Sequence, residues 1–203
     1  MREINPNELS ERENYKLLIG SIIPRPVALV TTLSEEGVLN AAPFSYFSIV
    51  ASNPPLISVS VQRKGKEMKD TARNAIAKGE FVVHIGDEAY VEALNKTSAS
   101  LPGDESEVDF AGLTPVPSKE IAVPGLGEAG IRMECVLEQA IQLGGNGESP
   151  ACDLLIGRVV QYHVREDLYE NGRIDAAALR PIGRLAGNTF VKLGETFDLQ
   201  RPL

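Results

Sequence analysis

The feature that most constrains this chain is a pair of long apolar, β-branched segments, residues 133–143 and 154–164, separated by Gly144-Gly145-Asn146-Gly147-Glu148-Ser149-Pro150. A loop so rich in glycine reverses the chain, so the two segments are expected to pair as antiparallel strands. Shorter runs of the same kind lie upstream. Residues 27–33 read as a strand, and Ser34-Glu35-Glu36-Gly37 turns it into a second that begins at Val38 and is interrupted at Pro43. A third strand follows Pro54-Pro55 with the alternation Leu56 to Val61, and Phe81 to Ile85 forms a further one.

Two helices interrupt this β pattern. Residues 67–78 place Ala72, Ala75 and Ile76 on one side before Gly79 stops the helix, and a second, shorter helix is expected from Asp87, as N-cap, to Asn95. Residues 98–130 carry many Pro, Gly, Ser and acidic residues with little periodicity, and read as one long excursion that lines a site. From Asp167 onward the tail is irregular. Six or more strands with two short helices and no βαβ alternation point to a mainly β (α+β) fold rather than a doubly wound sheet. A single domain over residues 1–203 is expected, with a C-terminal extension from about 167.

Charge narrows the function classes. The net charge of -8 argues against general attraction to nucleic acid or anionic lipid. The two cysteines, Cys135 and Cys152, come without a Cys-x-x-Cys or Cys/His cluster, so no metal site is expected. With no apolar signal segment at the N-terminus and no run of about 18 apolar residues, the expected location is the cytoplasm.

Against this acidic background stands a basic island. Arg63, Lys64, Lys66, Lys69, Arg73 and Lys78 face only Glu67 and Asp70. Lys69-Asp70-Thr71 lies near a helix start, where backbone N–H groups, a hydroxyl and cations together suit a phosphate; a solvated helix face explains the same charges. The stretch Asn40-Ala41-Ala42-Pro43-Phe44-Ser45-Tyr46-Phe47-Ser48 combines small, hydroxylated and aromatic residues in an interrupted strand, fit to hold a flat polar ring or to pack as an ordinary edge strand. His84 and His163 are isolated in strands. The acids Asp104, Glu105, Glu107 and Asp109 read as a solvated loop run. Hydrolase, Rossmann and P-loop motifs are absent from the sequence.

The ordered series Arg25-Pro26-Val27-Ala28-Leu29-Val30-Thr31-Thr32, Asn40-x-Ala42-Pro43-x-Ser45-x-Phe47, Pro54-Pro55, Lys69-Asp70-Thr71-x-x-Asn74 and Gly79-Glu80-Phe81-Val82-Val83 resembles the flavin-reductase-like, FMN-binding split-barrel family, in particular its flavoprotein oxygenase-like and flavoredoxin-like branch. The resemblance covers about residues 15–165 and extends to Arg184-Leu185-x-Gly187-x-x-Phe190. It implies a six-stranded antiparallel Greek-key split barrel with short flanking helices, working as a homodimer with FMN near the subunit interface. Thr31, Thr32, Asn40, Ser45, Tyr46 and Phe47 would surround the ring and ribityl chain. Ser60, Arg63, Lys69 and Thr71 would hold the phosphate, with Asn74 supporting them. Arg184 and Phe190 would close over the ring.

The implied reaction is hydride transfer from NADH or NADPH to flavin N5, with no dedicated catalytic acid or base. Reduced flavin would then serve a monooxygenase or another acceptor protein. Two positions depart from the family pattern. Cys152 stands where many members carry a histidine near the nicotinamide, and His84 stands where asparagine is frequent. Cys152 keeps open an FMN-binding electron-transfer protein without efficient NAD(P)H oxidation, and a haem-binding or non-catalytic scaffold is a further alternative.

Overall fold

The computed structural model describes residues 1–145 and 149–202; Asn146, Gly147 and Glu148 of the expected glycine-rich loop, and Leu203, lie outside the described residues. Seven strands form one antiparallel sheet: β1 Ala28–Leu33, β2 Leu39–Phe44, β3 Phe47–Ser52, β4 Pro55–Gln62, β5 Glu80–Ile85, β6 Ile131–Leu143 and β7 Cys152–Val164. Their order is β2-β1-β5-β6-β7-β4-β3. The two outermost strands, β2 and β3, are consecutive in the chain and separated only by Ser45 and Tyr46. One kinked run, 39–52, therefore belongs to both edges of the sheet and curls it into a barrel. Counted as one, it makes the six-stranded split barrel expected above.

The break falls at Ser45-Tyr46, not at Pro43. Pro43 stands opposite Leu29 in the β1–β2 ladder. An edge strand tolerates proline because one side of it needs no N–H donor. Strand β3 was not expected from the sequence, since Phe47 to Ser52 lacks a clear alternation. The long hairpin is present, β6 pairing with β7 along its length with irregularities at Ile156/Gly157 and Val159/Gln161. Gly157 sits at the first of these: a Cβ there would lie 2.3 Å from Phe81 Cζ, so only glycine lets the Phe81 ring cross the strand. Strands β4 and β5 are not neighbours, and the chain passes between them through a helix in Greek-key fashion.

That helix, α2, covers Asp70–Lys78 and ends at Gly79 with φ 73. It begins later than expected, because Lys64 and Glu67 pair in an isolated turn. An N-terminal helix unforeseen from the sequence, α1 Glu11–Ser21, starts in a Ser10–Glu13 capping box. Helix α3 spans Val91–Lys96, and Asp87 does not cap it: its carboxylate takes the Ala89 N–H of the preceding turn. The excursion after residue 98 contains a short helix, α4 Glu107–Ala111. The tail is less irregular than expected, since Ile182–Arg184 pairs with both Arg25–Pro26 and Phe190–Lys192 in a small separate sheet.

Two apolar clusters hold these parts. The barrel interior is filled by Val30, Phe44, Val59, Val61, Phe81, Val83 and Leu155, among others. The second cluster lies on the other face of β1, where Leu29 meets Tyr90, Leu94, Val108, Leu126 and Ile182, with Phe190 against it. Strand β1 is buried on both faces, which fits its lack of polar alternation: Ala28, Leu29, Val30 and Leu33 are apolar, and the two threonines bond internally. The second cluster therefore glues α3, α4 and the tail to the barrel wall.

Candidate functional site

The kink at Ser45-Tyr46 opens the ladder where the strand changes partners. Neither residue's backbone N–H donates a hydrogen bond among the described residues, although Tyr46 O accepts from Ser60 N at 2.8 Å. Backbone groups left free at a strand break are available to a ligand. A cleft of about 1050 Å³ opens beside them. Ser45 and Tyr46 line it with Ser60 and Gln62 of β4 and with Lys69. Val91, Glu92, Asn95 and Lys96 come from α3, Tyr15 and Ile19 from α1, and Arg184, Leu185, Asn188 and Phe190 from the tail. A smaller hollow of about 390 Å³ adjoins it, sharing Pro43, Phe44, Lys69 and Ser98, and adds Asn40, Asp70, Thr71, Arg73 and Glu107.

Of the residues singled out in the sequence, Ser45, Tyr46, Ser60, Lys69, Arg184 and Phe190 therefore meet around one cleft, and Asn40 and Thr71 line the adjoining hollow. The Arg184 guanidinium lies over the Phe190 ring at 4.3 Å and donates to Gly187 O at 2.5 Å, closing the tail's turn. Lys69 is the N-cap residue of α2 but gives it no side-chain cap, and it enters no ion pair among the described residues. Helix α2 thus presents first-turn N–H groups beside a cation with no acidic partner, a setting suited to an anion.

Four expected contact residues are placed otherwise. Thr31 and Thr32 are fully buried, so they present no atom to the cleft. Thr31 Oγ1 donates to Pro124 O at 2.8 Å, and Thr32 Oγ1 to Asn40 Oδ1 at 3.3 Å. Arg63 forms a bidentate pair with Asp153 at 2.8 and 2.7 Å; the Asp153 side chain is 1% exposed, so this guanidinium is committed to a buried carboxylate rather than free for a phosphate. Phe47 packs against the barrel interior and lines neither hollow.

Asn40 itself is the hub of an internal network. Its Oδ1 accepts from Thr71 Oγ1 at 3.1 Å as well as from Thr32, and its Nδ2 donates to Glu107 Oε2 at 2.9 Å, an oxygen that also takes the Ala41 N–H. Asn74 joins through Thr32. Glu107 is buried, unlike its neighbours in the acidic run, and burial raises its pKa above the ordinary carboxylate value. The network pins the first turn of α2 to strand β2 and to α4.

The histidines lie elsewhere. His84 is fully buried and bridges two backbones: Leu126 N donates to Nε2 at 2.9 Å, so Nδ1 carries the proton and donates to Leu29 O at 2.9 Å. Burial lowers its pKa to about 4 and keeps it neutral. His163 pairs with the buried Glu134, which also accepts the N–H groups of Lys119 and Glu120. Cys152 opens β7 opposite Gln62 but lines neither hollow.

Sequence reasoning missed Arg25, Gln62, Glu92, Asn95 and Lys96. Arg25 entered the sequence reading only as the first residue of the series that carries the family resemblance, a cation just ahead of the mostly apolar strand β1. Charged side chains lining the large cleft are Arg25, Lys69, Lys96 and Arg184 against the single acid Glu92. A positive cleft in a chain of net charge -8 favours anionic ligands.

Comparison with known proteins agrees with this architecture. The structure superposes on nitrilotriacetate monooxygenase component B from Bacillus cereus with a TM-score of 0.97 and 68% identity, covering 98% of each chain. It superposes on the 2-nitrobenzoate 2-nitroreductase NbaA of Pseudomonas fluorescens with a TM-score of 0.89 and 32% identity, over 99% of this chain and 96% of that one. An uncharacterized protein of Halalkalibacterium halodurans is 56% identical over 98% of this chain and 96% of its own length. The model of the flavin reductase like domain matches residues 19–178, and with the split barrel this places the chain in the flavin reductase-like family.

Proposed function

We propose that this protein is an FMN-dependent flavin reductase that draws hydride from NADH or NADPH. The observation that carries the reading is the positive cleft beside the Ser45-Tyr46 break: four cations and one acid, free backbone donors and a volume large enough for a flavin. The residues fit such a group. Lys69, Ser60 and the N-terminus of α2 would receive the phosphate, and the N–H groups of Ser45 and Tyr46 would face polar atoms of the ring. FMN, when bound, supplies the hydride-accepting ring.

The chain's own part is binding and orientation. Donors fixed at the strand break favour negative charge on a ligand without having to reorganise, which is why no acid or base is needed. The Arg184–Phe190 turn would cover the ring and limit access of water. His84 has both ring nitrogens committed, His163 has Nε2 on Glu134 and Nδ1 3.5 Å from Arg132, and neither lines the cleft, which counts against histidine-ligated haem there.

The name of the Bacillus cereus relative, a monooxygenase component, supports delivery of reduced flavin to a monooxygenase. The exposed Ile49 and Val50 of β3, with Leu18, Ile22 and Ile23 at the end of α1, support a homodimer. We place the protein in the cytoplasm and treat residues 1–203 as one working unit. No helix of the described residues is long and apolar enough to cross a membrane.

The test is an absorbance spectrum of the protein loaded with FMN, then treated anaerobically with NADH and with NADPH. Rapid bleaching by one nucleotide identifies the donor and bears out the reductase. Bleaching by dithionite alone points to a flavin-binding electron carrier, and failure to retain or quench flavin overturns the reading. Light scattering at the mass of one chain would reject the dimer.

A further inference from the structure

Arg25 is a buried cation with no anionic partner among the described residues. It is 6% exposed, lies in the two-residue strand before β1, and lines the large cleft. Its Nη1 donates to Ile19 O at 2.8 Å and Ile22 O at 2.6 Å, its Nη2 to Leu185 O at 2.9 Å, and its Nε to Ser45 Oγ at 3.3 Å. Four of the five N–H groups of a guanidinium are thereby used. No carboxylate pairs with it among the described residues.

Carbonyl oxygens and the end of α1 satisfy its donors but do not cancel its charge; a helix C-terminus offers about half a unit at most. A charge held dry is normally paired, since leaving water is costly. Here a full positive charge is kept at the wall of the cleft and shares its Nε–H with Ser45, the residue at the strand break. Because Ser45 Oγ accepts from Arg25, its own O–H is left to donate into the cleft.

Resting on the flavin reading above, we propose that Arg25 is the residue that makes the cleft prefer reduced over oxidised flavin. Two-electron reduction by a hydride adds one proton and one net negative charge to the neutral ring. A fixed cation behind Ser45 stabilises that added charge, and the polarised Ser45 hydroxyl carries the effect to the ligand. The cation acts on equilibrium affinity for the two redox forms, so it biases the reductase toward holding its product until an acceptor arrives.

The experiment measures dissociation constants for oxidised FMN and for dithionite-reduced FMN under argon, in the wild-type protein and in Arg25→Gln and Arg25→Lys. The wild type should bind the reduced form at least about tenfold more tightly, equivalent to a midpoint potential about 30 mV above that of free FMN. Arg25→Gln should lose that preference, and Arg25→Lys, which keeps the charge with fewer donors, should keep most of it. Equal loss in both variants would assign Arg25 to architecture alone and overturn the proposal. If Arg25→Gln does not fold, the wild-type ratio decides: equal affinity for the two forms rejects the inference while leaving flavin binding intact. Absence of binding in either redox state rejects the proposed function and the inference with it.

Discussion

The two halves of the kinked run 39–52 adjoin in sequence and differ in fate. In residues 39–44, Asn40 and Ala41 are buried and every polar atom named above finds a partner inside the molecule. In residues 45–52, the N–H groups of Ser45 and Tyr46 have no acceptor among the described residues, and Ser48, Ile49 and Val50 are exposed. The first half is committed to the fold, and the second, though paired with β4, carries groups the fold leaves unused. Polar residues in one sequence motif thus divide by whether the chain itself supplies their partners. The same division separates Arg63 from Lys69, two cations of one basic island.

Committed groups should cost stability when removed, and free ones should cost binding. Replacing Arg63 by alanine strands the buried Asp153 carboxylate and should lower the melting temperature by about 10 °C in calorimetry; an unchanged melting temperature would return Arg63 to the list of free cations. His84 tests commitment through pH. Its folded pKa of about 4 lies below the roughly 6.5 of an unfolded chain, so the unfolded state binds the extra proton between those values. Its contribution is present above pH 6.5 and is lost as pH falls toward 4, about 3 kcal/mol in all, readable from urea melts; His84→Gln should flatten that slope.

Asn40→Ala removes one of the two donors to the buried Glu107, which keeps the Ala41 N–H, and takes the acceptor from the Thr71 hydroxyl; it should destabilise by about 2 kcal/mol in the same urea experiment. Lys69→Ala is the opposite case. The melting temperature should stay within about 1 °C, while FMN binds about tenfold more weakly and riboflavin, which lacks the phosphate, binds as before. A parallel loss for riboflavin would move the phosphate away from Lys69.

The antiparallel strands, their hairpins and the stop at Gly79 were legible because alternation and glycine act locally. Helix α1 was overlooked although Ser10 and Glu13 advertise its start, since most of it is exposed and its apolar periodicity is weak. Ser45, Tyr46 and Lys69 were singled out from an interrupted strand and a basic island, and Ser60, Arg184 and Phe190 from the family resemblance; the fold brings all six to one cleft. Thr31, Thr32 and Arg63 have internal partners for one reason that stays out of sight in the sequence: a local pattern does not disclose that Pro124, Asn40 or Asp153 waits across the fold to engage them. Arg25 and Lys96 stayed hidden because a cleft gathers its charges from α3, the tail and the barrel, and periodicity within any one element is blind to that.

The small sheet joining residues 25–26 to 182–192 also orders events at the ribosome. All seven barrel strands have been synthesised once Val164 is added, yet Leu185, Asn188 and Phe190, which complete the cleft, and of which Leu185 engages Arg25, come more than twenty residues later. A nascent chain thus possesses its barrel before it possesses the far wall of its cleft, and a stop codon between those points would yield a polypeptide with every strand of the barrel and an incomplete cleft.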